Sequence, residues 1–96
     1  MTTLVLVEVA VLPAKKQTLI KMLASGFVDT RAFDGCINIQ AYFNEDEQTF
    51  VMVEHWQSKA HYLKYYQWRE RTGALDELQS CFDGDARIRF FEPIEI

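Results

Sequence analysis

The stretch from Thr3 to Leu12, TLVLVEVAVL, limits the fold more than any other part of the sequence. Val5, Val7, Val9 and Val11 alternate with Leu4, Leu6 and Leu12, and Glu8 is the single charge. β-Branched residues at every second position specify a strand. Apolar residues at the positions between them specify a strand covered on both faces, either by its own chain or by a partner. Pro13, which cannot donate to a ladder, ends it.

The period then changes. From Ala14 to about Thr30, Leu19, Met22, Leu23 and Phe27 share a helical face, while Lys15, Lys16 and Lys21 point elsewhere. Asp34-Gly35 is a turn signal. Cys36 to Phe43 alternates again, with Ile37, Ile39, Ala41 and Phe43 opposite Asn38, Gln40 and Tyr42. Thr49 to Trp56 places Phe50, Met52, Glu54 and Trp56 on one face. The polar Asn44–Gln48 turn makes the two a hairpin. A second helix starts after Ser58, a suitable N-cap, and ends near Gly73, a suitable C′ residue. Ala74 to Phe82 is a further helical piece, Asp83-Gly84-Asp85 turns the chain, and Ala86 to Ile96 reads as the last strand. Pro93 puts that strand at an edge or marks its departure from the sheet. The order predicts one α+β domain over residues 1–96: a ferredoxin-like βαββαβ fold, with a four-stranded antiparallel sheet and helices on one face. The other apolar face then needs cover, and a second copy packed sheet against sheet supplies it.

The segment Glu54 to Gly73, EHWQSKAHYLKYYQWRERTG, carries the chemistry of the chain. At about 100° per residue, His61, Tyr62, Tyr65, Tyr66 and Trp68 fall on one arc, with Arg69 and Thr72 among them. A helix that only fills a core is built more simply from Leu, Ile and Val. Tyr, Trp and His each bring a polar tip that needs a partner when buried. The arc is therefore either core whose tips reach solvent or backbone, or the wall of a pocket for a flat organic molecule. Arg69 inside the arc favours the pocket.

Several classes are excluded. A net charge of −4 without a Lys/Arg-rich face disfavours nucleic acid as a partner. No apolar run approaches the roughly 20 residues of a membrane helix. The apolar N-terminal stretch lacks a basic region and a small-residue cleavage site, so it reads as a strand of a cytoplasmic protein and not as a secretion signal. Cys36 and Cys81 are isolated and expected to be reduced. His55 and His61 flank the strand–helix junction with no ligand set around them, so no metal site is expected. Neither cysteine stands in a nucleophile context.

Over nearly its whole length the chain resembles the antibiotic biosynthesis monooxygenase domain family, the dimeric α+β barrels. The likeness rests on the Val-rich strand ending at Pro13, the Asp-Gly-Cys turn at Asp34 to Cys36, and Glu54-x-Trp56-x-Ser58. Its sharpest part is Tyr62-x-x-Tyr65-x-x-Trp68-Arg69-x-x-x-Gly73, which is similar to the quinol monooxygenase branch. The resemblance implies a homodimer whose two sheets close into an α+β barrel. It also implies a cofactor-independent monooxygenase that uses neither metal nor flavin. A small aromatic phenol or quinol loses a proton and passes an electron to molecular oxygen, and the caged pair recombines or yields a quinone. The protein would supply a dry pocket, orientation and hydrogen bonds to the phenolate. In those terms Tyr65 and Trp68 line the pocket and bond substrate oxygens, with His61 as the base. Arg69 holds an anionic oxygen, Tyr62 adds to the binding wall, and Asn38 and Glu54 reach in from the sheet. A haem-degrading relative in the superfamily uses an Asn on the first strand and a His late in the second helical region. This sequence has neither, which disfavours haem. Two other readings stay open: a non-catalytic dimeric small-molecule binder, and an isomerase of the same superfamily. For the isomerase, Arg69 with Arg87 or Arg89 would form an anion pocket, although no Gly-rich phosphate cradle is present.

Overall fold

The structure is a computed structural model and describes residues 2–96. The elements run β1 (Thr3–Ala10), a 3-10 turn (Pro13–Lys15), α1 (Lys16–Ala32), β2 (Cys36–Asn44), β3 (Thr49–Trp56), α2 (Lys59–Arg71), α3 (Ala74–Gln79) and β4 (Arg87–Phe91). The four strands form one antiparallel sheet in the order β2-β3-β1-β4. This is the expected ferredoxin-like arrangement, with β1 between two neighbours as its doubly apolar pattern requires.

Register decides what each face presents. Directly opposed residues of antiparallel strands share a face. Val5 pairs with Glu54 and Phe90, Val7 with Met52 and Ile88, and Val9 with Phe50. These residues face the helices. One buried cluster joins Val9, Val11 and Phe50 to Leu19 and Leu23 of α1 and to Cys81. A second joins Val5, Val7 and Trp56 to Tyr62 of α2. Each such aliphatic side chain contributes about 1.5–3 kcal/mol by leaving water. The opposite face carries Leu4, Leu6, Val51 and Val53, all half-buried, with Glu8, His55 and Arg89 among them.

Several boundaries differ from the sequence pattern. β1 stops at Ala10, not Leu12, because Val11 leaves the sheet to make an isolated bridge with Phe82. Pro13 opens a 3-10 turn, so α1 starts at Lys16 rather than Ala14, and it continues to Ala32. α3 ends at Gln79 before the chain tightens toward Cys81, three residues short of the expected Phe82. β4 ends at Phe91, not Ile96. Phe91 pairs with Leu4, one residue from the start of β1, so a longer β4 would have almost nothing left to bond.

Candidate functional site

α2 is placed by its first turn. The Ser58 hydroxyl accepts from the His61 backbone N–H at 3.2 Å and lies 2.7 Å from His61 Nδ1. It therefore caps the helix and fixes the ring together. The His61 ring packs on Gly35, whose φ of +92° suits glycine and where a Cβ would overlap the imidazole. At the other end Gly73, at φ +79°, breaks the helix and lets α3 start in a new direction.

A cavity of about 520 Å³ lies between the sheet and the three helices. Val7, Ile39, Met52 and Ile88 form its floor, and Met22 and Phe27 of α1 and Leu78 of α3 form its sides. From α2, Tyr62, Tyr65, Tyr66 and Arg69 line it. The size and largely apolar wall suit a small ring system.

One end of the cavity is polar and fully connected. Arg69 Nε donates to the Tyr65 hydroxyl at 3.0 Å. Arg69 Nη2 donates to the Gly26 carbonyl at 2.6 Å and to Thr30 Oγ1 at 3.0 Å. The Tyr65 and Thr30 hydroxyls are 2.7 Å apart, and Thr30 Oγ1 also reaches Gly26 O at 3.1 Å. The guanidinium lies 4.8 Å over the Trp68 ring and makes no ion pair among the described residues. Arg69 thus presents an unneutralised charge, held by backbone, hydroxyls and a ring. Burial pushes the Tyr65 phenol upward, against the lowering effect of its bonds to Thr30 and Arg69, so it stays protonated near neutrality.

Glu54 lies under the aromatic helix, 3% exposed. Its Oε1 accepts from Trp56 Nε1 at 3.0 Å. Burial raises its carboxyl to about 7, opposed by that one hydrogen bond. Burial also pushes up the Tyr62 phenol, with the Glu54 charge adding to the effect.

The seven residues expected at a site are therefore divided. Tyr62, Tyr65 and Arg69 line the cavity together. Glu54 is on the same sheet face but behind the wall. His61 is away from the cavity, at the α2 cap, with Nε2 3.9 Å from exposed Asp34. Trp68 packs on Phe33 at 5.5 Å between ring centroids and braces Arg69 from outside. Asn38 pairs with His55 on the opposite sheet face and is exposed there, because strand side chains alternate. The sequence reading missed Thr30 and Gly26. Gly26 interrupts the middle of a helix, where glycine costs about 1 kcal/mol relative to Ala. A Cβ there would lie 3.5 Å from Arg69 Nη2, an ordinary contact, so the glycine alone does not point to the site, and Thr30 is one turn further on. Among the described residues there is no cluster of three or more His, Cys, Asp or Glu placed to hold a metal ion. No helix among them is long and apolar enough to cross a membrane.

The model of a family described as antibiotic biosynthesis monooxygenase matches residues 2–74. Solved structures with the same fold include a conserved protein of Methanosarcina mazei, 20% identical, with a TM-score of 0.86, covering 95% of this chain and 91% of that one. A Mycobacterium tuberculosis protein is 17% identical, with a TM-score of 0.86 over 100% of this chain and 98% of its own. A structure described as an antibiotic biosynthesis monooxygenase is 14% identical, with a TM-score of 0.86 over 99% and 100%. At these identities the likeness shows the fold. No curated protein matches the chain by sequence.

Proposed function

Because the chain belongs to the antibiotic biosynthesis monooxygenase family, we propose that it is a cofactor-independent monooxygenase acting on a small aromatic phenol or quinol with molecular oxygen. The observation that carries this reading is the unpaired Arg69 guanidinium at the polar end of an otherwise apolar cavity. A phenol held beside that charge ionises more easily, since an adjacent cation favours the anion. The phenolate gives one electron to oxygen, the two radicals combine at a ring carbon, and loss of water from the resulting hydroperoxide leaves a quinone. The protein orients the ring between Tyr62 and the Met22–Met52 walls, excludes water, and stabilises the oxyanion by preorganised donors. Trp68 is a positioning residue, because it stacks on Arg69 and not on the cavity. His61 is left a structural role at the helix cap.

Oxygen consumption by metal-stripped protein, measured against a panel of quinols and polycyclic phenols, tests this. Substrate-dependent uptake that falls at least about a hundred-fold in Arg69→Met would support it. Uptake unchanged in Arg69→Met would remove the site from this cavity, and turnover without oxygen use would favour the isomerase reading.

A further inference from the structure

The protons at the polar end of the cavity can be followed from bond to bond. Thr30 Oγ1 lies 3.1 Å from Gly26 O, which can only accept, and 2.7 Å from the Tyr65 hydroxyl, so its proton has two possible acceptors, the first being the carbonyl one turn back. With its proton on the Gly26 side, Thr30 Oγ1 has only lone pairs for Tyr65, 2.7 Å away, and the Tyr65 proton points at Thr30. Arg69 Nε–H points at the Tyr65 oxygen, and Arg69 Nη2–H adds a second donor on Thr30. In that arrangement every proton in the chain Arg69–Tyr65–Thr30–Gly26 runs toward the α1 carbonyl. Two capacities are left over: one lone pair on the Tyr65 oxygen, and both hydrogens of Arg69 Nη1, which bond no group among the described residues. The Tyr65 hydroxyl then has no proton to offer a ligand. The guanidinium has no lone pair to offer one.

We propose that this end of the cavity reads two adjacent ring oxygens on the substrate, a hydroxyl that donates to Tyr65 and a neighbouring oxygen that accepts from Arg69. Resting on the oxidation reading above, this narrows the substrate class from phenols in general to rings oxygenated at neighbouring positions: a catechol-type monoanion or an ortho-hydroxy ketone. The charge of Arg69 favours the ionised form at the accepting oxygen, and the lone pair of Tyr65 keeps the proton on the other. The rim of the cavity carries Lys21, Asp29 and Glu77, which are exposed and screened, so the choice is made at Tyr65 and Arg69. A ring with a single hydroxyl, or with two far apart, leaves either the Tyr65 lone pair or the Arg69 donors unmet. Discrimination of this kind is strong because the penalty falls on groups that have lost their water.

The test is calorimetric binding under anaerobic conditions, which needs no turnover and therefore stands apart from the oxygen-uptake experiment. Three probes share one ring system: the naphthalene diol with adjacent hydroxyls at both β positions of one ring, its isomer with one β hydroxyl on each ring, and the dimethyl ether of the adjacent diol. The adjacent diol should bind at least about ten-fold more tightly than either of the others. In Thr30→Val the Tyr65 proton loses its acceptor and turns to the ligand. There the preference of the adjacent diol over its dimethyl ether should fall below about two-fold, an effect that loss of packing would not produce. Equal affinities for the two diols in the wild-type protein, or no binding of the adjacent diol at millimolar concentration, would overturn the proposal even if Thr30→Val does not fold. A preference that survives unchanged in a folded Thr30→Val protein would overturn the proton assignment on which it depends.

Discussion

Glu54 holds its carboxyl at about 7 with one hydrogen bond and almost no water. Its ordinary value is 4.5, so the folded protein keeps a proton that the unfolded chain releases between about pH 4.5 and 7. The stabilisation is complete below about 4.5 and is lost as pH rises through 7. It amounts to roughly 3 kcal/mol, at about 1.36 kcal/mol per unit. Urea denaturation of the wild type should thus give a lower unfolding free energy at pH 8 than at pH 5. Glu54→Gln, neutral at both pH values and still able to accept from Trp56, should show a difference smaller by up to that amount. The same slope in both proteins would place the titration on another group. Arg69 is a different kind of residue, because two of its three bonds tie α2 to α1 and the third holds Tyr65 on its own helix. Arg69→Lys supplies charge but not the fork, so it should lose most of the catalytic gain while staying folded, and kcat/KM beside a thermal melt would show the split. A melt that collapses together with activity would make Arg69 structural.

Among the elements, α2 shows how far the sequence could be read. The aromatic arc is real, but it faces two neighbours and not one. At about 100° per residue, Trp68 and His61 stand at one margin, followed in order by Tyr65, Arg69, Tyr62 and Tyr66. The margin turns to the end of α1, where Phe33 meets Trp68 and Gly35 meets His61. The remaining four line the cavity. A helical wheel gives the order of the residues but not the point at which one neighbour gives way to the next, and that point depends on how α1 crosses. Strand alternation was more informative: it already separated Asn38 from Ile39, and the paired register puts Asn38 behind the sheet. Gly26 and Thr30 were invisible for another reason. Their role is to receive Arg69 from 43 and 39 positions away, and no local period carries that. The α2 cap yields its own prediction. Ser58→Ala should cost about 1 kcal/mol in chemical denaturation. His61→Ala should lower stability by a comparable amount and leave the pH profile of kcat unchanged. A pH profile that loses a limb in His61→Ala would restore histidine as the base.

At the scale of the molecule the unanswered surface is the sheet face away from the helices. Leu4, Leu6, Val51 and Val53 are only half-buried there, Phe91 is 41% exposed at the edge strand and Tyr42 is 56% exposed at the other side. Contiguous apolar surface of this kind rarely stays in water on a small domain. Arg89 adds a polar reason for a partner. Its Nε is out of solvent and has no hydrogen-bond acceptor, while its nearest carboxylate, on Glu8, is 3.8 Å from Nη2. Buried donors are nearly always satisfied, so Arg89 and Glu8 are expected to close up when a second copy covers this face. A two-fold pairing of this face would present β4 and β1 of each copy to the other, and a standard interface of about 800 Å² per partner is within reach of a four-stranded sheet. Light scattering at micromolar concentration should therefore report twice the chain mass. Arg89→Glu sets two carboxylates side by side at Glu8, and Phe91→Asp puts a charge into the apolar edge. Both should shift the population toward monomer, and the shift with Arg89→Glu should shrink in high salt as the repulsion is screened. The helix-side cavity is built within one chain, so ligand binding should survive dissociation if the monomer stays folded. Dimers that persist in both variants would move the interface off β4, and a wild-type protein that scatters as a monomer would leave the apolar face to some other cover.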